Sequence, residues 1–198
     1  MNSVLKLIII AGILVTACKS DPPVPKPRGY YKFNFPASTS VNEFELKACD
    51  FSFSHPAYVE IEQDTLYFNE RPDHPCWLNI KYPTLNGIVH MSYKPLPQNS
   101  FNELTEEYHR IKFKHAVKAD FIDDAIITND SKKVYGLVSE VGGNVASSYQ
   151  FYVTDSQNHY VRGALYFKAQ ANADSLKPAV EFVKKDLVNM LESWKWLE

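Results

Sequence analysis

A chain of 198 residues with 45% hydrophobic and 22% charged side chains has the balance of a globular protein. It is long enough for one domain that buries roughly 70% of its unfolded surface. The formal net charge is −2 and no Lys/Arg cluster forms a stripe, which excludes the electrostatic footprint of a nucleic-acid binder.

The chain opens with Lys6 and the apolar stretch Leu7 to Ala17, which ends on Leu14, Val15, Thr16, Ala17, Cys18. That stretch is too short to cross about 30 Å of hydrocarbon as a permanent helix, and small residues before a cysteine are what a lipoprotein signal peptidase cuts. Residues 1–17 therefore read as a lipoprotein signal peptide and Cys18 as the lipid attachment site. Two or more acyl chains, at about 0.8 kcal/mol per buried methylene, make such an anchor stable. Residues 18–28, with Pro22, Pro23, Pro25 and Pro27, form a tether. In polyproline geometry at about 3.1 Å per residue it could hold the domain up to about 30 Å from a bilayer, although a tail without a spacing role fits the same residues.

Residues 29–198 are read as a single α+β globular domain. Tyr30 to Phe35 reads as a short edge strand stopped by Pro36. Tyr58 to Ile61 and Thr65 to Phe68 read as one hairpin, and Trp77 to Tyr82 with Ile88 to Tyr93 as a second, across Pro83, Asn86 and Gly87. The period then changes. Ser100 and Glu103 have capping-box spacing, and Phe101, Leu104, Tyr108, Ile111 and His115 fall on one face of a helix from Phe101 to about Ala119. Ala125 to Thr128, Val134 to Val141, Val145 to Val153 and Tyr160 to Phe167 form an antiparallel meander, with Gly142, Gly143 and Asn144 at one reversal. Ser175 is expected to cap a second helix carrying Leu176, Val180, Val183, Leu187, Met190 and Trp194, with Pro178 tolerated in its first turn. The fold class is an antiparallel sheet packed against two long helices.

With Cys18 lipidated, Cys49 and Cys76 remain as an even pair outside the cytoplasm and are expected to form a disulfide; free thiols, or zinc held with His74 and His55, are the alternatives. Asp73, His74 and Cys76 are the place where thiol or metal-assisted chemistry could sit, but the paired spacing of a redox or zinc motif is missing. His109 and His115 point to different faces of their helix. Asp123 and Asp124 read as a solvated turn at a helix exit rather than a general acid/base pair. The Gly142, Gly143, Asn144 segment reads as a hairpin turn, with a weak rival reading as an anion cradle. Trp194 and Trp196 cannot both face inward on one helix, so either one is an exposed interface anchor or Trp196 folds back on the domain. No catalytic residue, metal site or cofactor is expected.

Pro27 to Tyr31, Cys76 to Ile80 with Tyr82 and Pro83, Gly143 to Ser147, and Thr154 to Ser156 running on through His159 and Arg162 to Phe167 together resemble the gliding-motility lipoprotein GldD family of the Bacteroidota. The resemblance implies a non-enzymatic accessory component of the gliding and type IX secretion machinery. It would be anchored to the membrane through Cys18, at the outer membrane facing the periplasm, and partnered by other envelope proteins. A small-ligand-binding lipoprotein and an envelope enzyme around His74 and Cys76 are the alternatives. Asp64, Thr65, Leu66 and Asp174, Ser175, Leu176 also resemble the short O-glycosylation motif of that phylum. The order helix, meander, helix looks like the sandwich of the PsbP and Mog1 superfold.

Overall fold

The computed structural model describes residues 32–65, 72–96 and 100–197, with the backbone alone at residues 115 and 116. The expected signal peptide, Cys18 and the tether lie outside them, as does most of the run Thr65 to Phe68 and the side chain of His115.

Among the described residues, ten strands form two antiparallel sheets. The first strands, β1 (Val41–Glu45) and β2 (Phe51–Pro56), join the two-residue β10 (Lys195–Trp196) in a small sheet of order β1-β2-β10. The main sheet contains β3 (Glu60–Gln63), β4 (Leu78–Tyr82), β5 (Gly87–Pro95), β6 (Ala119–Asn129), β7 (Val134–Gly143), β8 (Ser147–Thr154) and β9 (His159–Phe167). Its order is β3-β4-β5-β9-β8-β7-β6. Helix α1 (Phe101–Ala116) leaves from β5 and helix α2 (Ala173–Ser193) follows β9.

Side chains alternate across a strand, and this decides where each helix sits. On β9, Val161 and Leu165 join the large core with Val183, Leu187, Met190 and Leu191 of α2, while Tyr160 on the opposite face packs with Leu104 of α1. The main sheet is therefore sandwiched, with α2 and the small sheet on one side and α1 on the other. The small sheet contributes Phe51 and Phe53 to the α2-side core. Burial of such side chains at about 1.5–3 kcal/mol each makes this layer the chief source of stability.

Several local expectations are corrected. Lys32 to Phe35 is not a strand; Phe35 instead sets its ring 4.9 Å from Phe182 of α2. Ser100 occupies the N-cap of α1 but its side chain makes no capping bond, and Thr105 Oγ1 donates to the carbonyls of Phe101 and Asn102 instead. Helix α1 stops at Ala116, because the β-branched residues from Ile122 onward pair with β7. Asp123 and Asp124 thus lie mid-strand, on opposite faces, and form no turn. The cap of α2 is Asn172, whose Oδ1 accepts from the Ser175 backbone at 3.1 Å. Pro178 is then the sixth helical residue, one turn deeper than expected, and leaves the Asp174 carbonyl without its intrahelical donor.

Candidate functional site

The first candidate region surrounds the cysteines. Cys49 follows β1 and Cys76 precedes β4, so a bond between them ties the small sheet to the main one; their sulfurs are joined at 2.11 Å with Cα atoms 5.5 Å apart. Both are buried. Beside them, His74 Nδ1 accepts the Cys76 backbone N–H at 3.2 Å and its ring lies 4.4 Å from that of Tyr93; burial pushes this imidazole below its usual range. Asp73 pairs with Lys94 at 2.7 Å, and that hydrogen bond holds its carboxyl low. His55 lies on β2 with Nδ1 3.0 Å from the Pro56 carbonyl. Among the described residues no three His, Cys, Asp or Glu side chains are grouped to hold a metal ion. The arrangement is a cross-link with a histidine supporting its backbone.

A second region, which sequence reasoning missed, lies under α1. Lys112 is 2% exposed although it is a lysine on a helix. Its Nζ donates to both carboxylate oxygens of Asp124, at 2.7 and 3.0 Å. Ser139 Oγ donates to Asp124 at 2.5 Å and accepts from the Tyr108 hydroxyl at 2.7 Å. Burial works to raise the Asp124 carboxyl, but the hydrogen bonds from Lys112 and Ser139 outweigh it and hold the group below the usual carboxylate range. Burial also lifts the Tyr108 phenol well above its ordinary value. The available signal was the spacing Leu104, Tyr108, Lys112, three side chains one turn apart on the buried stripe.

Clefts flank both helices. One, of about 510 Å³, lies between the β7–β8 reversal and the start of α2. Asn144 Oδ1 accepts the Ala173 backbone N–H at 2.9 Å and so pins the reversal to the helix. The two glycines are explained by packing. Gly143 has φ of +101°, and a Cβ on Gly142 would stand 2.0 Å from the Phe121 ring. Asp120, Asp174, Glu181 and Glu140, the last ion-paired to Lys184, line this cleft with Lys177, a net acidic lining that disfavours the anion cradle the glycines suggested. The other cleft, of about 390 Å³, opens between α1 and the β4 side of the sheet, where Arg162, His90, Lys94, Asp64 and Glu107 mix both signs of charge. His90 Nδ1 sits 2.6 Å from Asn79 Oδ1, and burial lowers its pKa.

The tryptophans separate. Trp194 is 0% exposed and stacks on both Phe51 and Phe53, at centroid distances of 4.9 and 5.3 Å, so it is a core residue and not an exposed anchor. Leaving the helix at Ser193 lets the chain turn both rings inward, a route that helical spacing alone does not reveal. Trp196 pairs with Phe51 across β10 and β2, donates Nε1 to the Lys133 carbonyl at 3.0 Å and stacks 5.1 Å from His159; it is folded back on the domain. Ser175, the expected acceptor of the second glycosylation motif, is 7% exposed in the first turn of α2 and is shielded in the fold. Thr65 of the first motif is exposed.

Comparison with known proteins identifies what these features belong to. The chain is similar in fold to the solution structure of cyanobacterial PsbP (CyanoP) from Synechocystis sp. PCC 6803, with a TM-score of 0.51 at 13% sequence identity, covering 86% of this chain and 99% of that one. At that identity the likeness is one of fold alone, and it agrees with the sandwich expected from helix, meander, helix. No curated protein matches the chain. The family model described as gliding motility lipoprotein GldD matches residues 20–196, which takes in every strand and helix described above, and the chain belongs to that family.

Proposed function

We propose that the protein is a lipid-anchored envelope component of the gliding-motility and type IX secretion machinery that works by binding protein partners rather than by catalysis. In this reading residues 1–17 are removed, Cys18 carries the lipid, residues 18–28 set the reach, and the domain faces the periplasm from the outer membrane. Family membership supports the motility role. The observation that carries the non-enzymatic reading is the fate of the cysteine–histidine cluster: the Cys76 sulfur is bonded to Cys49 and His74 is engaged by the Cys76 backbone, so nucleophile and base both serve structure.

Three experiments test it. Metabolic labelling with palmitate should mark the wild-type chain and not Cys18→Ser, and the variant should lose motility; an unlabelled wild-type chain removes the anchor. Replacing Cys49 and Cys76 together should lower stability while the folded fraction still supports motility. A stable but inactive double variant would instead restore the envelope enzyme. Cross-linking in intact cells should recover neighbouring envelope proteins, and recovery of this chain alone, where other lipoproteins are captured, counts against partner binding. A second reading, a small-ligand-binding lipoprotein, is favoured by the 510 Å³ cleft, whose size falls within the range of ligand pockets.

A further inference from the structure

We propose that β6 is a self-association edge, at which a second copy of this chain pairs antiparallel to extend the main sheet across a two-fold axis through Ile126. This goes beyond the partner-binding role above and stands whether or not that role does.

The main sheet ends in β3 and β6, and its two edges are built differently. β3 has four residues, two of them glutamates, with Glu62 ion-paired to Lys81, the short and charged construction that discourages further pairing. β6 has eleven residues, carries its three aspartates and a bulge in its first half, is uncharged from Ala125 to Asn129, and among the described residues pairs only with β7. A long open edge of this kind is a template for another strand.

Exposed apolar side chains gather at the same place. Of the eight large hydrophobic residues exposed among the described residues, Phe113, Val117 and Ile126 fall on β6 or the end of α1 leading into it, at 60%, 86% and 80% exposure, while Phe121, at 49%, lies on the other face of the strand beside Gly142. The Lys112 ammonium that holds Asp124 is 5.5 Å from the Phe113 ring, which places that ring beside the strand. An incoming strand would find apolar cover on the α1 side.

Charge selects the occupant and the register. A two-fold centred on Asp123 and Asp124 sets carboxylates against each other, which is unfavourable across a strand pair. Centred on Ile126, the same strand places Ile126 opposite Ile126 of the second copy, Asp124 opposite Thr128, Ala125 opposite Ile127 and Asp123 opposite Asn129. Asp120, at the start of each strand, then comes opposite the turn of the other copy that carries Lys133 and Lys132, the latter's ammonium already on the Glu192 carbonyl of its own chain. The edge is thus complementary to itself, as an isologous contact must be.

The test uses the full chain. Ile126→Cys, expressed in the native envelope, should give a reductant-sensitive dimer on a non-reducing gel, while the wild-type chain and Val188→Cys, exposed on α2, should not. In detergent, sedimentation equilibrium of the wild-type chain should show a monomer–dimer equilibrium whose midpoint Ile126→Lys raises about tenfold or more, since each interface loses an apolar pair and gains two like charges. If the lysine variant fails to fold by circular dichroism, Ile126→Thr, which keeps β-propensity, should raise the midpoint in the same direction. A monomeric Ile126→Cys, a cross-link only to a chain of different mass, or a midpoint that the folded variants leave unmoved would each overturn the proposal.

Discussion

The Nζ of Lys112 stands 2.7 Å from one carboxylate oxygen of Asp124 and 3.0 Å from the other, so a helix lysine that is 2% exposed is neutralised by one strand residue. The two partners are not equivalent, because Asp124 keeps 40% of its side chain in solvent while Lys112 is enclosed. Asp124→Ala strands a buried ammonium and should destabilise by about 2–3 kcal/mol, below the usual range for a fully buried pair because solvent reaches the carboxylate side. Lys112→Met removes the charge along with its stem and should cost less than about 1 kcal/mol. Urea denaturation of both variants checks the asymmetry, and equal losses would show that the ammonium is not enclosed in solution.

The same pair sets a pH dependence with a definite sign. The folded pKa of Asp124 lies below the ordinary 3.8, so the folded state binds fewer protons than the unfolded state as this group titrates. Its stabilisation is therefore complete above the unfolded value and is lost as pH falls through the folded one. Thermal unfolding from pH 6 downward should show wild type losing its advantage over Asp124→Asn on acidification below about pH 4. A difference between the two that stays constant over that range would contradict the assignment.

The Cys49–Cys76 bond closes a loop of sequence separation 27. In the chain-entropy treatment such a loop contributes about 3.5 kcal/mol, and Cys49→Ser with Cys76→Ser should lower the denaturation free energy by that order. Since the bond joins the small sheet to the start of β4, hydrogen exchange in the double variant should accelerate first in β1 and β2. Uniform acceleration across both sheets would mean that the bridge acts on the unfolded chain alone.

What could be read in advance was what local spacing controls. The hairpin over Pro83 to Gly87, the meander through Tyr160 to Phe167 and the two amphipathic helices follow from turn residues and from periods of two and 3.6. Lys112 escaped because a lysine one turn beyond Tyr108 looks like a solvated position, and only a strand distant in sequence supplies its carboxylate. Asp123 and Asp124 were misplaced for a related reason: adjacent acids after a helix favour a turn, but pairing with Ser139 and Glu140 on β7 makes them extended. The small sheet was invisible because β10 has only two residues and exists through its contact with β2.

The cap of α2 gives a smaller and cleaner measurement. Asn172 Oδ1 satisfies the Ser175 N–H, so Asn172→Ala should cost about 1 kcal/mol, while Ser175→Ala, whose backbone is the donor, should leave the bond intact. Chemical denaturation separates the two. A larger loss at Ser175 would return the cap to the residue that spacing first suggested.

Trp194 and Trp196 stand two residues apart, in T-shaped contact with centroids 5.6 Å apart, yet they should respond very differently to truncation. Trp194 is fully buried against Phe51 and Phe53, and Trp194→Ala should cost about 3–5 kcal/mol through lost burial and the cavity left behind. Its Nε1 has no hydrogen-bond partner in that enclosure, so Trp194→Phe gives up no polar contact and should recover most of the loss. Trp196 is half-buried, and truncation removes its bond to the Lys133 carbonyl and its stacking on His159, so Trp196→Ala should cost about 1–2 kcal/mol. Fluorescence adds an independent reading. Removal of Trp194 should take away the most blue-shifted part of the emission, and an emission shift that follows Trp196 instead would mean that the buried and half-buried roles are exchanged.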